Sequence, residues 1–137
     1  MSNPGPATTV TPNNQNLNTQ QAIRLLAVQK AVNLNATGDT ALPILSATNF
    51  SVSNVVMSGA TISLTTAAAG LFTAPGAGGT AIVANAALSG LTGPTIVSQR
   101  TVASTTNRTE QTLYFNVATA QGAAATADVY VYGYDLS

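Results

Sequence analysis

Apolar and polar positions alternate most sharply near the end of the chain. In the segment 111–117, Leu113, Phe115 and Val117 fall on one side, and Thr112, Tyr114 and Asn116 on the other. In the segment 128–134, Val129 and Val131 alternate with Tyr130, Tyr132 and Tyr134. A period of two marks a strand with one buried face. Both segments are predicted strands, and Gln121-Gly122-Ala123-Ala124-Ala125-Thr126 is the loop between them. Further upstream, Phe50 and Val52, then Val55 and Met57, alternate in two pieces with a phase slip near Asn54. Such a slip predicts a bulge or a bend. Thr61–Thr65, Thr80–Ala84 and Thr95–Ala103 read as further strands, the last with Ile96 and Val102 as its apolar ends. Thr37-Gly38-Asp39 reads as a turn and Leu88–Pro94 as a loop. Ala67–Gly79 is rich in small residues, and reads as a flexible stretch anchored by Leu71 and Phe72.

Residues 19–34 carry two patterns at once. Ile23, Leu26, Ala27 and Lys30 recur at helical spacing, with Asn18 or Thr19 available as a cap, whereas Leu26, Val28, Val32 and Leu34 alternate as a strand would. The reading taken is a short helix or turn leading into a strand from about Lys30 to Ala36. Residues 1–20 differ from the rest. They are rich in Pro, Asn, Thr and Gln, with only Val10 and Leu17 as large apolar residues, so alone they bury too little to offset their ordering entropy. Extended at about 3.1–3.5 Å per residue, such an arm reaches on the order of 60 Å, enough to cross a neighbouring subunit. The expectation is an all-β chain: an extended N-terminal arm over 1–20, then a single β-sandwich or jelly-roll-like domain of about eight short strands over 21–137.

Composition narrows the function more than any motif. Charged residues are 6% of the 137, and there is no histidine and no cysteine. A typical domain is about 25% charged, so much of this surface is expected to be covered by protein neighbours. Net charge is zero, with Arg24, Lys30, Arg100 and Arg108 balanced by Asp39, Glu110, Asp128 and Asp135. Duplex binding and anionic membranes both call for clustered basic residues, so neither nucleic acid nor membrane is an expected partner. The first residues lack the basic and apolar regions of a secretory signal, and synthesis in a cytoplasm is the expectation.

Candidate chemistry is sparse. A nucleophilic Ser or Thr needs a base beside it; histidine is absent, and Lys30, the one lysine, sits in no motif. The four carboxylates are too scattered in sequence to read as a glycosidase pair. Zinc sites draw on His and Cys, and the calcium-loop pattern is missing, which leaves a lone ion between subunits at Asp39 or Asp135 as the only metal reading. Gly76-Ala77-Gly78-Gly79-Thr80 resembles a phosphate loop but lacks its lysine. No enzyme, cofactor or resident metal is expected. The stripe Tyr130, Tyr132, Tyr134 is the feature singled out. Tyrosine buries area while keeping a hydroxyl, so the stripe is read as a subunit interface, as packing within the chain, or as a sugar-stacking platform. With Val10 and Leu17 of the arm, it makes up the candidate interface.

Three stretches carry a resemblance. They are Asn33-Leu34-Asn35-Ala36-Thr37-Gly38-Asp39-Thr40-Ala41-Leu42-Pro43-Ile44, then Ser63–Ala74 with Gly79–Val83 after it, and Gln121–Leu136. Together they span about residues 32–136 and resemble small structural proteins of tailed-bacteriophage virions. The resemblance implies a virion protein and brings no catalytic or binding residue with it. The function expected on that basis is capsid decoration (cement): a homotrimer on the capsid exterior, bound between major capsid subunits and stabilising the head. The alternative is a tail, fibre or head-spike module binding host-surface carbohydrate, and a depolymerase ranks last.

Overall fold

A computed structural model of the protein describes residues 23–137. Those residues form eight strands and no helix: β1 (Ile23–Asn33), β2 (Gly38–Pro43), β3 (Phe50–Ser58), β4 (Ala68–Ala74), β5 (Gly78–Ala87), β6 (Val97–Arg100), β7 (Thr112–Thr119) and β8 (Thr126–Asp135). They make two four-stranded antiparallel sheets, one ordered β1-β8-β3-β6 and the other β2-β7-β4-β5. The pairing follows one rule: β1 with β8, β2 with β7, β3 with β6 and β4 with β5. That is a long antiparallel hairpin folded over on itself into two facing sheets, the jelly roll.

The tip of this hairpin is the β4–β5 turn. Gly78 N–H donates to the Pro75 carbonyl at 3.2 Å, with Gly76 and Ala77 both in the left-handed region, at φ 69° and 56°. Two positive φ values in a two-residue turn match the right-handed twist of the strands they join. This places the phosphate-loop-like glycines of the sequence at a hairpin tip.

The core is one cluster fed by both inner faces. Phe50, Val52, Val55, Met57, Val129 and Val131 come from the first sheet; Leu42, Leu71, Ile82, Leu113, Phe115 and Val117 come from the second. Loop residues Leu34, Leu64, Leu88 and Leu91 seal the ends. Each fully buried side chain of this size contributes about 1.5–3 kcal/mol. Gln121, 9% exposed, holds one of these loops as a surrogate strand: its Oε1 accepts the N–H groups of Thr66 and Ala67 at 3.1 and 3.0 Å.

Several expectations are corrected here. The segment read as a helix or turn is strand from Ile23 onward. The helical spacing comes from two bulges in β1, between Leu25 and Ala27 and between Gln29 and Val32. The first lets the adjacent Leu26 and Ala27 both turn inward. The second carries Ala31 at φ 53°, with its N–H held by Asp128 Oδ1 at 2.9 Å. Strand β2 starts at Gly38, inside the expected turn. Ala68–Ala74, read as flexible, is β4, buried on both sides of Leu71. Residues 61–65 are bends, not strand, and β6 is only Val97–Arg100. The slip near Asn54 is present: the β3–β8 register shifts between Val52 and Asn54. The arm over 1–20, with Val10 and Leu17, lies outside the described residues.

Candidate interaction surface

The tyrosines sit where strand alternation sends them. On β8, Val129, Val131 and Gly133 are buried, and Tyr130, Tyr132 and Tyr134 lie on the outer face of the first sheet. Their cross-strand partners build out that face. Tyr134 lies between Ile23 and Ser51, Tyr132 between Leu25 and Asn54, and Tyr130 between Val28 and Val56. At the β6 edge, Val97 pairs with Ser58 and is 67% exposed. Ile23 at the β1 edge and Tyr134 are 45% and 41% exposed.

Within the face, the rings of Tyr130 and Tyr132 stack at 6.5 Å between centroids and 19° between planes. Lys30 Nζ stands 5.1 Å from the Tyr130 centroid and donates to its hydroxyl at 2.7 Å. The rings are therefore pre-ordered, so contact with a partner costs little further rotamer entropy. Four strands about 4.8 Å apart and about eight residues long give a face on the order of 400 Å². The face is mixed: polar Ser51, Asn54 and Ser58 and the Lys30–Asp128 pair share it with the tyrosines and aliphatic residues. It is about half of one side of a standard protein interface, roughly 800 Å². By area, this face alone supports a modest contact that gains strength by repetition or by a second contact.

The few charges are spent locally. Arg24 bonds Asp135 Oδ2 at 3.1 Å, Lys30 lies 3.6 Å from Asp128 Oδ2, and buried Arg108 lies 3.6 Å from Glu110 Oε1. Asp39 accepts Gly76 N–H at 2.7 Å and Asn116 Nδ2 at 2.9 Å, which ties the hairpin tip to β2. Asp39, Asp128 and Asp135 are thus each held by hydrogen bonds, and among the described residues no three acids group as metal ligands.

The Ser137 hydroxyl and N–H, and then Arg24, hold the Asp135 carboxyl below its ordinary value. The Tyr130 hydroxyl, and then Asp128, hold the Lys30 ammonium above its own. A depressed acid adds stability that is present above its unfolded pKa and lost as pH falls through the folded one. A raised lysine adds stability that is present below its unfolded pKa and lost as pH rises through the folded one. With no histidine between them, the thermal midpoint is expected to stay flat from about pH 5 to about pH 9, falling only beyond these limits. A calorimetric series that shows a step near neutral pH would contradict this electrostatic picture.

The structure thus brings Tyr130, Tyr132 and Tyr134 onto one exposed sheet face, while Val10 and Leu17 fall outside the described residues. Sequence reasoning missed the contributions of β1 and β6 to that face. Ile23, Leu25 and Val28 were hidden by the bulges, and Val97 by the absence of alternation around it. No protein-family model matches the chain, and a comparison with curated proteins finds no match.

Proposed function

We propose that the protein is a structural component of a tailed-phage virion: a decoration protein seated as a homotrimer on the capsid exterior and bound to the major capsid protein. The observation that carries this reading is the outer face of the first sheet, where three tyrosines lie among Ile23, Leu25, Val28, Val56 and Val97 and the Lys30 charge is paired with Asp128. Such a face suits protein contact. The resemblance of residues 32–136 to phage structural proteins supplies the virion context; the jelly roll does not, because one fold hosts many functions.

The mechanism is linkage. A protein that binds only the assembled lattice stabilises it by its binding free energy, and many modest contacts sum through effective concentration. The arm is the second contact that the small face calls for.

The test is rebinding of purified protein to expanded capsids stripped of it. Occupancy is expected to change little between low and moderate salt, because few exposed charges are there to be screened. Deleting residues 1–20 is expected to leave the thermal midpoint unchanged and to lower occupancy. A steep loss with salt, or full occupancy without the arm, would reject the proposed mode of binding.

The stacked Tyr130–Tyr132 pair also favours a second reading, a tail, fibre or spike module that stacks host sugars on these rings. Binding of the isolated protein to a glycan array, lost on Tyr132→Ala, would select it.

A further inference from the structure

All eight charged side chains lie within residues 24–135. Three cations stand within 4.0 Å of an acid, which leaves Arg100 and Asp39, among the described residues, as the one cation and the one anion without an opposite charge.

Arg100 ends β6, an edge strand of the first sheet, and faces β5, an edge strand of the second. Between these two edges lies a cleft of about 360 Å³ lined by Ala84, Ala87, Ala103, Gln99 and Arg100 among others. Among the described residues, only thin links cross it. Ala103 N–H donates to the Ile82 carbonyl at 2.7 Å, and the guanidinium makes long contacts of 3.3 and 3.4 Å to the carbonyls of Ala87 and Ala86. These engage few of the five N–H donors of an arginine. Burial also lowers its pKa, the mark of a cation short of compensation.

Asp39 lies on β2, the opposite edge of the second sheet, with β7 and β4 between it and β5. Its carboxylate bonds Gly76 at the β4–β5 tip, whereas Arg100 of the same chain meets Ala86 and Ala87 at the far end of β5, on the order of 30 Å away along the strand. Its oxygens accept one hydrogen bond each and have lone pairs to spare.

We propose that copies of this protein associate head to tail, the Asp39 edge of one seating against the Arg100 cleft of the next. The contact joins two different surfaces, so it closes into a ring when the rotation permits. The homotrimer of the decoration reading is one such ring. The inference rests on that reading only for its choice of a protein partner. Its test uses the isolated chain, so it fails or succeeds independently of capsid binding.

The test is a sedimentation concentration series on the full chain. Wild type is expected to form a closed oligomer. Asp39→Arg and Arg100→Asp are each expected to weaken association at least tenfold, and the double variant, which swaps the charges, to recover most of the loss. Because Asp39 also holds the hairpin tip, Asp39→Asn (which keeps an acceptor for Gly76) and Arg100→Gln form a second cycle. Each is expected to weaken association, and the two together no more than either alone. Circular dichroism confirms folding in every case, and if a charge-reversal variant is unfolded the neutral cycle decides. A wild type that stays monomeric throughout, single variants that associate like wild type, or a folded double variant without recovery would each overturn the proposal. So would loss of association on deleting residues 1–20, which assigns the cleft to the arm.

Discussion

Gly133→Ala is expected to lower stability by about 3 kcal/mol, a fall of roughly 10 °C in the thermal midpoint. Gly133 is buried on β8, opposite Arg24 of β1 and Val52 of β3. A Cβ there would overlap the Ser51 carbonyl oxygen and lie 2.7 Å from Leu26 Cδ1 and 3.0 Å from the Ser51 carbonyl carbon. The obstacle is main chain in a paired strand, which cannot turn aside as a side chain can. Relief means opening the β8–β3 ladder at its bulge or displacing Leu26 from the core. Gly93→Ala is the matched control: a Cβ there meets nothing within 4 Å, and its midpoint is expected to stay within a degree or two of wild type. Equal midpoints for the two variants would show that β3 and β8 do not approach as described.

Tyr132→Arg is expected to cost binding without costing the fold. Tyr132 sits centrally on the outer face, between Leu25 and Asn54 and stacked on Tyr130. Truncating a central interface tyrosine typically costs about 2 kcal/mol or more, roughly thirtyfold in affinity, and an arginine adds a charge to be desolvated. Capsid occupancy at limiting protein should drop by at least that factor. The ring is only half-buried, so the thermal midpoint should move by a few degrees at most. A folded variant that binds like wild type would remove this face from the proposed contact.

Legibility of the fold followed the physics of each strand. β7 and β8 alternate cleanly because they are interior strands of their sheets with one face on the core. β1 misled because its two bulges shift the inward phase, so Leu26 and Ala27 are buried side by side, and a bulged strand then imitates helical spacing. β2 escaped notice because this short edge strand buries a single large side chain, Leu42. β4 was obscured by composition: alanine and glycine carry little strand preference. Yet small residues are what its position demands, since the main chain of β5 passes within contact distance of Gly70. Residues 61–65 show the opposite error. Leu64 is buried as a loop anchor with its N–H on the Leu91 carbonyl, and the Gln121 amide, not a neighbouring strand, donates to the Ser63 carbonyl and Thr65 Oγ1. The tyrosine stripe was readable from period two alone. The Arg100 cleft was not, because it arises from two sheet edges that are distant in sequence.

The copy number of this chain relative to the major capsid protein in intact particles tests most directly whether the protein works by fitting against protein neighbours on a shell. Quantitative mass spectrometry of purified virions should find the two chains at comparable abundance, with this one lost when the capsid is returned to its unexpanded form. A handful of copies per particle, or none, would contradict a role in cementing the head.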